Sequence, residues 1–237
     1  MWLGSGQQIN QVNVSDILIL SSSVKIVESA QDLGVIIDSH LSLSSHVAGL
    51  CRSEFYHLRQ LRPLCRSLPA EATKTLVHAG VHFMLPGLLQ RFAVYRVTDK
   101  LMRQVQSVQN AAARLITGAK RREHITPIWR QLRWLPVRRR VEFKMASLVY
   151  QVLSSKVPLA DDIHLASESS ACSHRSSSER KCSVTRVHSR FGDRCFAAAG
   201  PRIWNNLPTS LRDKEVSCTE FRKQLKTFMF QTDCGAS

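Results

Sequence analysis

VQSVQNAAARLITG, residues 105–118, decides the fold class. Together with Leu101, the residues Val105, Val108, Ala112 and Leu115 recur at spacings of three and four, which puts them on one helical face. Thr98 can cap the start, Asp99 suits the positive end of the helix dipole, and Gly118 supplies the stop. An amphipathic helix of this kind is not stable alone; its apolar face requires neighbours of the same type.

Those neighbours are legible on both sides. Towards the C-terminus, Thr126-Pro127 opens a short helix holding Trp129, and Pro136 opens a longer one. The longer helix turns Val137, Val141, Met145, Leu148 and Val152 inward and Arg138, Arg139, Arg140 and Lys144 outward. Towards the N-terminus, Val47, Cys51, Phe55 and Leu58 mark one helix, and Ser67-Leu68-Pro69 starts another with Ala72, Leu76 and Val77 apolar. Residues 41–160 thus predict a bundle of roughly five helices.

The ends read differently. Residues 1–40 are β-rich: Val12, Val14, Ile17 and Ile19 form one run, and 24–27 and 33–37 form two more, separated by Ser and by Ala30-Gln31-Asp32. Strands this short need partners for their backbone groups. Residues 161–186 are Ser-rich and aperiodic, as expected of a linker. Residues 187–237 form a small basic piece. It has an apolar helical spacing over 191–199, a turn over 201–208, and a Ser217/Glu220 capping-box pattern before Phe221, Leu225 and Phe228. The expected fold is mainly α, with a short N-terminal β segment, a helical bundle and an α-rich C-terminal piece.

Composition sets outer limits. A chain of 237 residues that is 43% hydrophobic can bury a core. No apolar run approaches the ~18 residues of a membrane span, and no targeting peptide is legible at the N-terminus. Seven scattered cysteines argue against a disulfide framework and for a reducing, intracellular setting, nucleus or cytoplasm. The net charge is +15, and its distribution is uneven. Residues 1–45 hold Lys25 against Asp16, Glu28, Asp32 and Asp38, a net of −3. Between 114 and 144 stand Arg114, Lys120, Arg121, Arg122, Arg130, Arg133, Arg138, Arg139, Arg140 and Lys144 against two glutamates. Such a field favours polyanions, held through phosphates by counterion release. RNA or DNA is therefore the expected partner, with Arg222, Lys223 and Lys226 as further candidates; no membrane contact is expected. Trp129 and Trp134 lie within this stripe and are expected to anchor a helix junction, the alternative being an exposed Trp that stacks on an unpaired base.

Other chemistry is poorly supported. Polymerase chemistry needs paired carboxylates holding two metal ions. The one adjacent pair, Asp161-Asp162, follows the helical region and reads as a solvated turn. Cys172, His174, Cys182, His188 and Cys195 lack the close-paired spacing of a zinc site. Gly4-Ser5-Gly6 precedes no helix start and is no phosphate loop. No catalytic residue, metal site or cofactor is expected.

One resemblance draws these features together. Residues 105–118, 134–144 (WLPVRRRVEFK) and 200–212 (GPRIWNNLPTSLR), in this order and spacing, resemble the C-terminal part of the reverse transcriptase of a non-LTR retrotransposon, LINE type and jockey-like. The likeness extends over residues 2–231. It implies that Asp32-Leu33-Gly34-Val35-Ile36-Ile37-Asp38 closes the palm, so that residues 1–40 are its last edge and 41–160 correspond to the thumb that grips a primer–template duplex. The basic C-terminal piece would hold template RNA or target DNA. The palm aspartates precede the matched region in that family, so the expectation is a catalytically inactive fragment of an RNA-directed DNA polymerase. A host-used nucleic-acid-binding module and a protein-interaction fragment are the alternatives. The chain departs from the family between 79 and 97, where Gly87-Leu88-Leu89-Gln90-Arg91 replaces Leu-Asp-Tyr-Cys-Asn. The codons GGA-TTA-CTG-CAA-CG give Asp-Tyr-Cys-Asn in the neighbouring frame, which implies a frameshift that leaves Pro86-Gly87 inside a helix.

Overall fold

A computed structural model describes the chain apart from residues 2–5, 10, 13, 21, 33, 66, 70, 78, 80–97, 155–162, 167–179, 188–191, 214–215 and 235–237. The stretch at 87–91, the Asp161-Asp162 pair and most of the Ser-rich segment expected as a linker lie outside the described residues. The protein is mainly helical, with a short N-terminal β region of two hairpins. The described residues form two compact units. One takes the residues before 84 together with 98–121, and the other those from Arg122 onward.

In the first unit, β1 (Asp16–Ile19) pairs antiparallel with β2 (Ser22–Lys25), and β3 (Ser29–Asp32) with β4 (Val35–Asp38). Ala30-Gln31-Asp32, expected between strands, belongs to one. The chain turns at Gly34, whose φ of 80° costs glycine no steric strain, and folds the flanking residues back to back. The strands thus supply each other's backbone partners. Their apolar side chains are less well covered: Leu18 is 78% and Leu20 95% exposed.

Helix α1 (Ser44–Cys65) packs against β4 and against α2 (Asp99–Thr117). His46 anchors the first contact, its Nδ1 accepting the Ile36 N–H at 3.3 Å. The α2 face is as its spacing predicts, with Leu101, Val105, Val108 and Ala112 buried, while Leu115 is half-buried. Thr98 holds the N-cap position without a side-chain cap bond, and Gly118 ends the helix in the left-handed region. On α1 the expected face is buried at Val47 and Leu58 and half-buried at Cys51, and it departs from expectation at Phe55. Val47, Glu54 and Leu58 face inward and Phe55 outward, because the spacing from Cys51 to Leu58 is satisfied by either 54 or 55. On the helical stretch 71–77, Val77 is buried and Leu76 exposed.

The second unit joins α3 (Ile125–Leu132), α4 (Val137–Ser154), α5 (Phe196–Asn205) and α6 (Cys218–Cys234). Helix α4 packs on both α5 and α6. The compact units therefore part at Arg121/Arg122, inside the span 41–160 expected as one bundle. The periodicity of α4 tells which face is buried but not what covers it. That face is met by aromatic side chains far along the chain. Tyr150 stacks on Phe221 with centroids 4.2 Å apart, and Trp204 lies 6.3 and 5.9 Å from the two rings. The Tyr150 hydroxyl donates to the Val216 carbonyl.

Residues 201–208 were expected to turn the chain, yet helix α5 runs through Pro201 to Asn205. Proline disfavours a helical residue before it by clashing with that residue's Cβ, and Gly200 has none. The same absence lets α5 approach α4, since a Cβ on Gly200 would lie 3.0 Å from a Val149 methyl. Past Asn205, Leu207 and Leu211 return to the core.

The ends of the expected linker are held in place. Ala166 N–H donates to the Lys181 carbonyl and Ser183 N–H to that of His164, each at 2.8 Å. Asn205 then clamps Cys182 from the side. Its Oδ1 accepts the Cys182 N–H at 2.8 Å, and its Nδ2 donates to the Cys182 carbonyl at 2.9 Å. Trp204 Nε1 donates to the Arg180 carbonyl at 2.7 Å. One side-chain amide thus does the work of a neighbouring strand.

Candidate functional site

The candidate cations divide between the two units. Arg114, half-buried on α2, belongs to the first with the exposed Lys120 and Arg121; Arg122, also exposed, begins the second. The rest of the stripe is built on the α3–α4 corner and on α6.

Arg138, Arg139 and Arg140 diverge, since successive helical residues are about 100° apart. Arg138 is exposed. Arg139 is tied to Glu142 one turn on, with Nη1 at 2.8 Å from Oε2. Arg140 was expected outward and is instead folded back. Its guanidinium carbon lies 5.5 Å above the Trp134 ring centroid, and Nε donates to the Leu135 carbonyl at 3.0 Å. Burial lowers its pKa to about 10. Arg140 is thus a cation–π strut of the corner, with little left to offer a ligand. Lys144 is half-buried, and burial draws its ammonium below the usual value.

Helix α3 ends at Arg133, which adopts φ 52°, ψ 41°. Its N–H donates to the Arg130 carbonyl at 3.1 Å, and Trp134 N–H to that of Trp129 at 2.9 Å. This helix stop usually uses glycine, because the left-handed region costs other residues roughly 1–2 kcal/mol. The conformation brings Trp134 into the core, as expected of an anchor, and leaves Arg133 exposed. Trp129 is half-buried, and its indole N–H has no hydrogen-bond partner.

Two recesses open at this corner. The larger, about 470 Å³, is bounded by Trp129, Pro136, Arg130, Arg138, Glu142 and Phe230 of α6. The smaller, about 320 Å³, is bounded by Arg130, Arg133, Thr227, Phe230 and Gln231. Arg130 and Phe230 belong to both. Glu142, the one acidic residue lining either recess among the described residues, is engaged by Arg139. Lys226 lies nearby on α6. Burial depresses its ammonium pKa, and the positive charges of Arg133 and Arg140 depress it further. The corner therefore gathers like charges against one another with an aromatic floor between them.

On the remaining turns of α6, Arg222 and Lys223 are exposed, and Lys223 lies 3.8 Å from Glu220. Ser217 Oγ accepts the Glu220 N–H at 3.2 Å, which is half of the expected capping box. The sequence marked the cations but not the recesses. Phe230 carries no signal that sets it apart, and neither the place of Pro136 on a recess wall nor the left-handed backbone of Arg133 follows from the signals those two residues do carry.

Of the discounted metal set, Cys172, His174 and His188 lie outside the described residues. Cys195 is exposed and Cys182 buried. Burial raises the Cys182 thiol to about 11 against the opposing charges of Arg180 and Arg212. Among the described residues no three His, Cys, Asp or Glu side chains cluster to hold a metal, and no helix is long and apolar enough to cross a membrane. No family model, curated protein or solved structure matches the chain.

Proposed function

We propose that this chain is a non-catalytic fragment of a LINE-type RNA-directed DNA polymerase that holds RNA or DNA through phosphates without reading sequence. The observation that supports it is the α3–α4–α6 corner, where Arg130, Arg133, Arg138 and Lys226 meet and the single acid is already engaged. Phosphate contacts position a nucleic acid, and their affinity comes from released counterions. The motifs at 105–118, 134–144 and 200–212 support the origin. The chain's one adjacent aspartate pair follows the first two of these motifs, whereas the family's catalytic pair precedes all three.

The test is titration of labelled duplex DNA and RNA at several salt concentrations, beside a primer-extension assay with Mg²⁺. Binding should weaken steeply with salt and vary little with sequence, and no primer should be extended. Replacing exposed Arg130 and Arg138 with Gln should weaken every sequence alike. Absence of binding at low salt, or extension that survives repurification, would overturn the reading. The exposed Leu18, Ile19 and Leu20 favour a second reading, a surface for another protein, whose mark would be association indifferent to salt.

A further inference from the structure

We propose that the two recesses of the α3–α4–α6 corner form one site for an unpaired nucleotide of single-stranded nucleic acid, its base in the larger recess and its phosphate in the smaller. This rests on the function proposed above and narrows it to a substrate class and a place.

Size, composition and charge all bear on this. The larger recess, about 470 Å³, falls within the ~300–1,000 Å³ usual for small-ligand sites, and Trp129, Pro136 and Phe230 give it apolar walls. A base presents a π-face and stacks on such surfaces whatever its identity. The smaller recess has Arg130 and Arg133 on its wall, with Lys226 at hand on the same helix as Phe230. These are donors for phosphate oxygens. Because Arg130 and Phe230 line both spaces, a base and its own phosphate can occupy them together. A duplex keeps its bases stacked inside and would use the cations alone.

Two further observations agree. Arg133 occupies a backbone position where glycine costs less, so the fold bears strain to present a guanidinium there. Burial first, and then the positive charges of Arg133 and Arg140, depress the Lys226 ammonium, which sets three cations beside the smaller recess.

The experiment uses the full chain at low salt and follows tryptophan emission, since Trp129 and Trp134 both line the larger recess. Short oligothymidylate should change the emission; duplex DNA of equal charge and inorganic pyrophosphate should not. Phe230→Ala should weaken oligothymidylate binding about tenfold and duplex binding less than twofold. Because Phe230→Ala removes packing, Arg133→Gly is the companion variant. It relieves the left-handed strain, so its melting temperature should equal or exceed that of the unaltered chain. Its single-strand salt slope should shrink by about 0.7, one phosphate contact. Equal loss of single-strand and duplex binding in Phe230→Ala, or unchanged emission with oligothymidylate, would overturn the site while leaving phosphate binding intact. No binding of any form at low salt would overturn both.

Discussion

At the scale of single residues, the stretch 200–212 carries most of the structural content. Gly200 permits a close approach, Trp204 fills the core, Arg202 meets Asp193 at 3.0 Å, and Asn205 clamps the Cys182 backbone. Removing Asn205 leaves a part-buried N–H and carbonyl without partners, each costing roughly 1–3 kcal/mol. Asn205→Ala should therefore destabilise the second unit by about 2–3 kcal/mol, seen as a lower urea midpoint. An unmoved midpoint would mean that water replaces the clamp without loss. The sequence singled out this stretch but not these roles. A glycine before a proline, and an asparagine after a tryptophan, read as turn signals until a partner segment is known to lie alongside. Arg140 was misplaced for a related reason: a cation near a tryptophan in sequence can stack on it or leave it, and the backbone at the corner decides.

At the scale of elements, helix existence was legible and helix rotation less so. Three of the four long helices, α2, α4 and α6, begin or end near the expected signals, because Pro, Gly and Ser act through local backbone chemistry. On α1, spacings through 54 or through 55 describe equally good helical faces, and the neighbours select the first. The choice buries a carboxyl. Glu54 is only 8% exposed, and burial raises its pKa above the usual 4.5 while His57 opposes the rise. A carboxyl with a raised folded pKa contributes its full stability below the unfolded value and loses it as pH climbs through the folded one. Above the ordinary carboxylate range the folded state therefore bears a cost that the unfolded state does not, set by burial of the Glu54 carboxyl. Glu54→Gln should raise the melting temperature at about pH 7, and the gain should vanish below about pH 4.5. A gain of equal size at both would assign the effect to packing instead.

At the scale of the whole molecule, charge asymmetry was plain in the sequence and its focusing was not. The stripe at 114–144 counts ten cations, but folding assigns some to the first unit, turns Arg140 inward and pairs Arg139. What remains at the corner is drawn partly from α6, more than eighty residues beyond Trp134 in Lys226. The effective charge for binding should thus be well below the formal +15. Each phosphate neutralised on B-DNA adds about −0.9 to the slope of log affinity against log salt. Losing Arg130 and Arg138 together should reduce that slope by about 2, measured by the same titration.

The clamp around Cys182 also turns that residue into a clock. A thiol that is 3% exposed and raised to about 11 reacts with an alkylating reagent only when its surroundings open. Near neutral pH, iodoacetamide should modify exposed Cys195 promptly and Cys182 slowly. The Cys182 rate should then equal the free-thiol rate multiplied by the fraction of molecules open at any instant. Small additions of urea should accelerate it in step with global unfolding, so that mass spectrometry of one peptide reads the free energy of opening of the second unit. Modification of both cysteines at one rate would place the opening at the clamp itself, far below the stability of the core it adjoins.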